Sequence, residues 1–297
     1  MRIGITGASG MIGQSLIALA AGSGHEMIGY SRRPGAALPL VTKTLVSSAA
    51  DVLPETRLDA LVHLAGESLF GLWTVKKRDR IRRSRVDLTR QVIARLKTWD
   101  AANRPQVLLC ASGIGFYGDR GDEILEETSS QGTGFLAELC RDWEAAAREA
   151  VEIGIRVVHL RTGVVLGQNG GAFPLMRTAF LLGAGGRFGP GRQWMSWIHE
   201  QDQVALMLWA IETESVAGPL NLCSPHPLTN ADFTRQLASH LHRPAFMHVP
   251  ALALRLLMPG MADEMLLASQ RAFPRVATDL GYQFALPDLG DALTALR

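Results

Sequence analysis

The sequence of 297 residues predicts an α/β fold with a doubly wound parallel sheet and a smaller C-terminal domain. Three observations lead to this prediction. An apolar strand at the start of the chain runs into a glycine-rich turn and an apolar helical pattern, and strands and helices then alternate through the first half. After Arg161 this alternation ends, and nine glycines lie between Thr162 and Gly191. We therefore expect a first domain over residues 1–165 and a smaller, partly interleaved domain over 166–297.

Hydrophobic runs and the breaks between them predict the individual elements. Short apolar runs bounded by turn residues predict buried parallel strands at 2–6, 26–31, 43–46, 59–64, 106–111 and 156–161. Helical periodicity predicts crossover helices, with the usual right-handed connection, at 11–22, 75–99 and 134–153. Further helices are expected near 174–182, 202–213, 230–242, 250–258 and 288–296. The glycine-rich segment is either a mobile cover over a cleft or a set of plain turns.

The turn after the first strand has the composition of a phosphate cradle. Gly7 allows a tight turn, Gly10 allows a phosphate to approach the backbone, and Gly13 allows the helix to pack close to the strand. The helix then points its unpaired N-terminal N–H groups at a pyrophosphate. A flexible loop between strand and helix is the alternative interpretation. The predicted cofactor-binding residues of this turn are Gly7, Ser9, Gly10, Met11, Ile12 and Gly13.

The tip of the second strand predicts which dinucleotide binds. An Asp or Glu at this position holds the ribose hydroxyls of NAD and repels a 2′-phosphate. Here the tip carries Ser31, Arg32 and Arg33, and no acidic residue lies between Glu26 and Asp51. Two guanidinium groups and a hydroxyl suit a phosphate dianion. We therefore predict NADP(H) rather than NAD(H) as the cofactor, with a solvated basic turn as the alternative.

Composition and charge argue against several other classes of protein. A formal net charge of +2 argues against binding nucleic acid through bulk charge, and the basic segment 76–85 is either a solvated helix face or a site for an anionic partner. Cys110, Cys140 and Cys223 are far apart and odd in number, so we expect neither a disulfide framework nor a metal site. The chain enters its first strand at once and has no apolar stretch of membrane-spanning length. We therefore expect a cytoplasmic protein without membrane or nucleic-acid partners.

Several motifs along the chain carry a resemblance to a known family. They are Gly7-x-x-Gly10-x-x-Gly13, His63 through Gly66, Ser84-Arg85-Val86, Ser112 through Asp119, and Trp197-Ile198-His199 with Asp202. Together they resemble the extended short-chain dehydrogenase/reductase superfamily and, within it, the atypical epimerase-like branch often labelled as sugar-nucleotide epimerases. The stretch from about 244 to 297 is similar to the small domain of unknown function that ends this branch. The resemblance implies a Rossmann fold of the extended type, a nicotinamide cofactor and a C-terminal substrate domain.

The resemblance also implies further cofactor contacts. Asp51 occupies the position at which relatives hold the adenine amine with a carboxylate. The backbone of Leu64, Ala65 and Gly66 is expected to line the dinucleotide, because these residues follow a strand of the sheet at its carboxyl edge.

The chemistry that the resemblance implies lacks its usual groups here. Ordinary members use a Tyr-x-x-x-Lys pair on the helix after the fifth strand, in which the lysine lowers the pKa of the tyrosine and the phenol exchanges a proton with the substrate. Counting back from Glu144 puts Leu136 and Cys140 at these positions, and a shift of one residue puts Phe135 and Leu139 there. Neither leucine nor phenylalanine can carry a proton.

Three side chains are the predicted catalytic substitutes. Ser112 ends a strand at the carboxyl edge of the sheet, where ligands of open α/β folds bind, although a serine that caps its own turn is the alternative. Tyr117 follows in the same loop, either as an acid or as a tyrosine packed by its ring. His199 is either a general acid near neutral pH or a structural histidine at a strand end. Asp119 and Lys76 are further candidates, with a solvated side chain as the alternative for the lysine.

Two classes of function fit an intact cradle without the usual acid–base pair. One is an NADP(H)-dependent oxidoreductase or epimerase that acts on a small carbonyl or sugar-like substrate of unknown identity. The other is a non-catalytic protein that binds NADPH as a regulatory signal or as part of an interaction with a partner. The glycine-rich segment and the cluster from Arg192 to His199 favour the enzyme. The sequence leaves the oligomeric state open, with a homodimer among the alternatives.

Overall fold

The computed structural model describes residues 1–33, 38–48 and 51–296. Seven strands form its centre: β1 (Arg2–Thr6), β2 (Glu26–Ser31), β3 (Lys43–Val46), β4 (Ala60–His63), β5 (Val107–Gly113), β6 (Arg156–Thr162) and β7 (Gly218–Leu222). They pair in parallel in the spatial order β7-β6-β5-β4-β1-β2-β3. The predicted α/β fold with a parallel sheet is confirmed.

Six of these strands coincide with predicted strands to within two residues at each end. The seventh, β7, was not predicted, because Gly218 and Pro219 at its start are poor strand formers. It pairs with β6 in a register that sets Leu220 beside Leu160. Residues beyond 166 therefore contribute to the first sheet, while the domain division between 165 and 166 stays a prediction.

The helices lie mainly between the strands, as the sequence predicts. The α-helices are α1 (Met11–Gly22), α2 (Val75–Arg82), α3 (Leu88–Thr98), α4 (Phe135–Arg148), α5 (Phe173–Leu181), α6 (Glu200–Glu212), α7 (Asn230–His240), α8 (Ala251–Leu257), α9 (Arg275–Asp279) and α10 (Leu289–Ala295). Short 3₁₀ turns occupy Ala101–Asn103, Ile114–Tyr117 and Glu149–Ile153, and π-helical segments occupy Arg83–Asp87 and Ala262–Leu266. The predicted helix 75–99 therefore contains a π-helical interruption between α2 and α3.

Both faces of the sheet are covered, which makes it doubly wound. Ile3 and Ile5 of β1 are fully buried in a cluster with α1 and α6. Ile28 of β2 and Leu61 of β4 belong to a second cluster with α3 and α4. Successive side chains of a strand point to opposite faces, so parallel strands with helices on both sides are apolar throughout. A third cluster around Trp197 joins α7 and α10.

The smaller part of the molecule contains short strands. They are Ile124–Leu125, Val164–Gly167, Gly170–Gly171, Gly186–Phe188, Trp194–Met195, Trp197–His199, Leu228–Thr229, Met247–Val249 and Arg271–Ala272. Within the ranges that the structure describes, none of the helices has the length and apolar character needed to cross a bilayer. The same ranges hold no cluster of three or more His, Cys, Asp or Glu side chains suited to a metal ion.

Candidate functional site

The glycine turn after β1 leaves backbone donors open. Gly7 has a φ of +74°, in the left-handed region, and the N–H of Gly10 donates to the carbonyl oxygen of Gly7 over 3.0 Å. Helix α1 begins at Met11 with no side-chain cap and with no acidic residue in its first turn. Its first N–H groups therefore point outward without a side-chain acceptor, which is the arrangement that binds an anion.

Glycine is required at two positions of this turn by close backbone contacts. A Cβ atom on Gly13 would lie 2.5 Å from the carbonyl oxygen of Gly7 and 3.0 Å from the Cα atom of Ala8. A Cβ atom on Gly7 would lie 2.8 Å from the carbonyl carbon of Leu64. Side chains larger than hydrogen would push the helix away from the strand and from the loop after β4, so the turn has the close packing that a dinucleotide cradle needs.

The first turn of α1 also packs against the second half of the chain. Met11 lies against the glycines at 167, 170 and 171. A Cβ atom added to Gly170, for example, would lie 3.0 Å from both the Sδ and the Cβ atom of Met11. The hydroxyl of Ser15 donates to the carboxylate of Glu200. The glycine-rich region thus packs against the cradle, which sequence reasoning did not predict.

The tip of β2 carries two exposed arginines. The backbone N–H of Arg33 donates to Ser31 Oγ over 3.1 Å, which closes a small turn at the strand end. Neither Arg32 nor Arg33 forms an ion pair with any residue in the described ranges. Their guanidinium groups are available to a phosphate.

Asp51 is engaged by a neighbouring helix. Arg95 donates to its two carboxylate oxygens from Nε over 3.0 Å and from Nη2 over 3.4 Å. The N–H of Leu53 donates to the same carboxylate over 3.3 Å. About a third of the Asp51 side chain remains exposed, at 36%. The structure thus gives this predicted adenine contact a defined orientation, and the contact itself stays a prediction.

A buried histidine joins the ends of β1 and β4. The Nδ1 atom of His63 lies 2.7 Å from Thr6 Oγ1, and its Nε2 atom lies 3.1 Å from Thr89 Oγ1 on α3. Burial lowers the pKa of His63 to about 4, so the ring is neutral at pH 7. The N–H of Ala65 donates to Thr6 Oγ1 over 3.4 Å, so this chain of contacts also positions the loop from Leu64 to Gly66.

At the end of β5, Ser112 belongs to a buried polar network. Its hydroxyl donates to Glu144 Oε1 over 2.8 Å. Arg161 on β6 donates to both oxygens of Glu144, from Nε and Nη2, over 2.9 Å each. Ser112 is 8% exposed, Glu144 3% and Arg161 4%. Because Ser112 gives its proton to Glu144, its oxygen still has lone pairs that can accept a hydrogen bond.

Tyr117 is part of the same network and is fully buried. Its hydroxyl accepts from Arg161 Nη1 over 3.1 Å and donates to Asn221 Oδ1 over 2.7 Å. Burial raises the pKa of Tyr117 to about 12, although Arg161 opposes this shift. The ring of Phe116 lies 3.6 Å from the Arg161 guanidinium carbon. These contacts favour the packed-tyrosine interpretation, and a catalytic role for Tyr117 stays an untested prediction.

Sequence reasoning assigned no role to the residues that complete this network. Glu127 accepts from the backbone N–H of Asn221 over 3.0 Å and from that of Val276 over 3.3 Å. The ion pair between Glu144 and Arg161 joins α4 to β6. No local pattern in the sequence indicates that contact.

The structure does not join His199 to Ser112 and Tyr117. It is the N-cap of α6, where its Nδ1 atom accepts from the N–H of Gln201 over 3.1 Å. Burial lowers the pKa of His199, and the carboxylates of Asp202 and Glu200 oppose that shift. This geometry favours the structural interpretation of the histidine, and its role as a general acid stays a prediction.

Lys76 and Trp197 have contrasting environments. Lys76 is exposed at the start of α2, as expected of a solvated lysine. Trp197 is fully buried, with its Nε1 atom donating to the carbonyl oxygen of His226 over 3.1 Å. A fully buried indole is part of the core and offers no face for stacking on a ligand.

A cleft of about 250 Å³ opens beside the N-terminus of α4. Its lining comes from the loop after β5, from α4 and from the C-terminal segment: Gly115, Gly118, Asp119, Thr133, Leu136, Arg255, Asp263, Glu264, Leu267, Ala268 and Gln270. Counting back from Glu144 predicts Leu136 at the position of the family's tyrosine, and this assignment stays a prediction. By that count, the cleft lies beside the predicted proton-transfer position.

The C-terminal segment closes one side of the cleft by capping α4. The carboxylate of Glu264 accepts from the N–H of Phe135 over 3.1 Å and from that of Leu136 over 2.7 Å. Asp119, which also lines the cleft, accepts from the N–H of Ser269 over 3.1 Å. A carboxylate at a helix N-terminus is stabilised by the helix dipole. Sequence reasoning missed Glu264, since the partners are more than a hundred residues apart.

Comparison with known proteins places these features in a family. Residues 3–223 match the model of the NAD dependent epimerase/dehydratase family, and residues 249–296 match a domain of unknown function, DUF1731. The chain is 38% identical over 293 residues to epimerase family protein ML0860 of Mycobacterium leprae, covering 98% of this chain and 94% of that protein. It is 35% identical over 297 residues to human epimerase family protein SDR39U1, covering 99% and 98%.

Solved structures give the same assignment. The crystal structure of human SDR39U1 (isoform 2) with NADPH superimposes with a TM-score of 0.91 at 31% identity, covering 100% of this chain and 99% of that one. A nucleoside-diphosphate sugar epimerase from Corynebacterium glutamicum superimposes with a TM-score of 0.79 at 36% identity, covering 99% of this chain and 57% of that one.

Proposed function

Because this chain belongs to the NAD dependent epimerase/dehydratase family, we propose that it is an NADP(H)-dependent oxidoreductase of the epimerase type. Its substrate would be a small carbonyl or sugar-like molecule bound in the cleft beside α4. One observation carries this proposal: the cleft of about 250 Å³ is lined by Leu136, the residue that the sequence predicts at the family's position for proton transfer. A molecule that fills the cleft would therefore lie beside the expected reaction centre.

Two features of the structure and one comparison support NADP(H) as the cofactor. The turn from Gly7 to Gly13 has the tight backbone contacts and the open N–H groups that a pyrophosphate needs. Arg32 and Arg33 are exposed at the position of the adenosine ribose. The human relative SDR39U1 was crystallised with NADPH. When bound, the nicotinamide supplies or accepts a hydride.

The residues around the cleft suit a molecule rich in hydroxyl groups. Carboxylates of Asp119, Asp263 and Glu264 line it, together with Arg255, which pairs with Asp263 over 2.7 Å. Carboxylate oxygens accept hydrogen bonds from hydroxyl groups. Ser112 is not part of the lining of this cleft, and its oxygen can accept a further hydrogen bond because its own proton is already given to Glu144.

A second candidate function is a protein that binds NADPH without turnover. The specific observation in its favour is that the residues predicted at the positions of the family's tyrosine and lysine are poorly suited to proton transfer. Leu136 cannot exchange a proton, and burial raises the pKa of the Cys140 thiol to about 11, so the thiol stays protonated at pH 7. In this case NADPH would act as a signal or as a structural ligand.

One two-stage experiment distinguishes the candidates. NADPH and NADH are titrated separately against the intact protein by fluorescence, and we expect much tighter binding of NADPH. NADPH deuterated at C4 is then incubated with the protein and a panel of small carbonyl compounds, and deuterium in the reduced products is measured by mass spectrometry. In parallel, NADP⁺ is incubated with the protein and a panel of nucleotide sugars, and formation of NADPH or of an epimerised sugar is measured. Deuterium transfer, NADPH formation or epimerisation supports the enzyme. Tight NADPH binding with none of these supports the second candidate, and equal affinity for NADH contradicts the cofactor proposal.

The catalytic assignment is tested with three single variants, provided that turnover is found. Ser112→Ala, Tyr117→Phe and His199→Ala remove the three candidate groups one at a time. Loss of a group that exchanges a proton with substrate lowers the rate roughly 10²- to 10⁴-fold. Turnover that is unchanged in all three variants would reject this set of residues.

A further inference from the structure

The helix that runs from α2 into α3 has a π-helical segment at Arg83–Asp87. Such segments are rare and often occur at functional sites, because the extra residue in the turn redirects a side chain. Arg85 lies in this segment and is only 9% exposed. Its guanidinium carbon lies 5.2 Å from the ring centroid of Trp143 on α4. The side chain is thus held inside the protein, between two helices.

Arg85 has no anionic partner in the part of the chain that the structure describes. Its Nη1 atom reaches Ile81 O at 3.5 Å and Ser84 Oγ at 3.4 Å, both at the long limit of a hydrogen bond. The nearby acid Glu67 is paired with Lys77 over 2.8 Å. The Nε and Nη2 donors of Arg85 make no hydrogen bond to any residue in 1–33, 38–48 or 51–296.

A comparison with Arg161, the other arginine that is buried within the described residues, shows how unusual this is. Arg161 is 4% exposed, and Glu144 neutralises it through two hydrogen bonds of 2.9 Å. Burial lowers the pKa of Arg85, whereas the carboxylate of Glu144 raises that of Arg161 in spite of burial. A buried charge without a counter-ion is costly, so proteins rarely keep one that has no ligand.

Arg85 lies against the carboxyl edge of the sheet. A Cβ atom on Gly66, just after β4, would lie 3.2 Å from the Arg85 guanidinium carbon. Ser84 Oγ accepts the N–H of Glu67 over 2.9 Å and so holds this loop against the helix. On the other side, Arg85 is close enough to Cys140 to oppose the rise of that thiol's pKa. Cys140 takes the place of the family's lysine, so the guanidinium puts a positive charge near that position.

We propose that Arg85 binds an oxyanion, a phosphate or a carboxylate, in the space between Gly66 and α4. The inference deepens the proposed function and rests on it, since the oxyanion is carried either by NADP(H) or by the substrate. The planar fork of arginine suits either group, because it can donate two parallel hydrogen bonds to one anion. Stacking on Trp143 keeps the fork oriented while its free donors face the edge of the sheet.

The test uses Arg85→Met, which keeps the volume and removes the charge, and Arg85→Lys, which keeps the charge and removes the fork. Arg83→Met is the matched control, since Arg83 lies in the same π-helical segment with 70% of its side chain exposed. Each protein is titrated with NADPH by fluorescence. The NADPH-saturated protein is then titrated calorimetrically with inorganic phosphate and with malonate. The thermal midpoint of each variant is also measured.

If the oxyanion belongs to the cofactor, Arg85→Met weakens NADPH binding roughly 10- to 100-fold, as expected for loss of a charged hydrogen bond. If it belongs to the substrate, NADPH affinity stays unchanged and Arg85→Met loses the binding of phosphate or malonate that the wild type has. Arg85→Lys retains part of either affinity, and Arg83→Met retains all of it.

One result would overturn the proposal: an Arg85→Met protein with wild-type affinity for NADPH, phosphate and malonate. A lower thermal midpoint in that case would make Arg85 a packing residue. If the wild type does not bind NADPH at all, the proposed function fails, and phosphate and malonate binding to the free protein still decides the role of Arg85.

Discussion

The cradle after β1 and the network at the end of β5 lie at the same edge of one sheet, but they differ in whether their polar groups are paired within the protein. In the cradle, the first N–H groups of α1 have no side-chain cap. In the network, Ser112, Glu144, Arg161 and Tyr117 satisfy one another over distances of 2.8–3.1 Å. Unpaired donors are available to a ligand, whereas side chains that are hydrogen-bonded to one another stabilise the fold.

The physical basis of this difference is the source of the polar groups. The cradle uses backbone N–H groups at a helix end, which cannot be paired within the helix. The network uses side chains from β5, α4 and β6, which reach each other because the strands are adjacent. A substitution in the cradle should therefore lower the affinity for NADPH, and a substitution in the network should lower the free energy of unfolding.

The largest effect is expected when the ion pair of the network is broken. Arg161→Met leaves the carboxylate of Glu144 buried, with only Ser112 as a hydrogen-bond donor among its observed partners. Removal of one member of a buried pair typically lowers the free energy of unfolding by about 3–5 kcal/mol. Urea denaturation of the wild type and the variant measures this difference.

Lys97→Met is the control for that measurement, because Lys97 pairs with Glu152 over 3.0 Å at the surface. Its loss should change stability far less, as solvent screens an exposed pair. Replacing both partners in Glu144→Leu/Arg161→Met should recover part of the lost stability, since no charge then remains buried. Equal stability of Arg161→Met and the wild type would show that the network is not structural.

The second-largest effect is expected from a substitution in the cradle. Gly13→Ala introduces a Cβ atom 2.5 Å from the carbonyl oxygen of Gly7, so the turn must shift. Overpacking of this kind costs up to about 3 kcal/mol. A cost of this size that falls on the binding conformation of the turn lowers NADPH affinity on the order of 100-fold. Fluorescence titration with NADPH gives the dissociation constant directly.

Gly22→Ala is the matched control at the other end of α1, where an added Cβ would meet nothing within 4 Å. It should leave NADPH affinity unchanged. If Gly13→Ala also binds NADPH normally, the turn does not hold the pyrophosphate in the expected way.

The two regions also differ in how much of them the sequence predicts. The cradle depends on residues close in sequence, so the spacing of Gly7, Gly10 and Gly13 was enough to find it. The network joins Ser112 to Glu144 across 32 residues and Tyr117 to Asn221 across 104, and no local periodicity encodes such contacts. The strands of the sheet were predictable because each is a compact apolar run, except β7 with its Gly218-Pro219 start.

The C-terminal contribution to the cleft was also not predicted, because it too depends on contacts between residues far apart in sequence. Glu264 lies in a short π-helical segment and reaches Leu136 across 128 residues. The sequence predicts Leu136, or Phe135 after a shift of one residue, at the position of the family's tyrosine. It did not indicate that a distant carboxylate caps the helix at that residue.

Each region contains one buried histidine, and this predicts the pH dependence of stability. Burial lowers the pKa of His63, at the cradle, and of His159, on β6, to about 4, against about 6.5 for an unfolded chain. Between these values the unfolded state binds more protons, so stability rises with pH and is lost as the pH falls from about 6.5 towards 4. At pH 5 each histidine costs about 2 kcal/mol relative to pH 7.5.

Urea denaturation of the wild type at pH 7.5 and pH 5 measures the total loss. His63→Leu and His159→Leu should each remove about 2 kcal/mol of this pH dependence, by the same linkage. If only His63→Leu also weakens NADPH binding, the histidine that positions the loop from Leu64 to Gly66 acts on the cradle, and the one on β6 does not. A stability that is equal at both pH values would contradict neutral, buried rings.

The smallest effect is expected from Tyr117→Phe, which decides between the two interpretations of that residue. The variant removes the hydroxyl that donates to Asn221 over 2.7 Å and accepts from Arg161, and we expect a loss of about 1.5 kcal/mol in the free energy of unfolding. Tyr30→Phe is the control, because Tyr30 is also buried but its hydroxyl makes only a 3.4 Å contact with Pro54 O.

A tyrosine with no exposed surface and a pKa of about 12 is poorly suited to exchange a proton with substrate at pH 7. We therefore expect Tyr117→Phe to keep wild-type NADPH affinity and any hydride transfer that the wild type has. A loss of transfer of 100-fold or more without a loss of stability would instead make Tyr117 the proton donor, and the network would then be an active site rather than a scaffold.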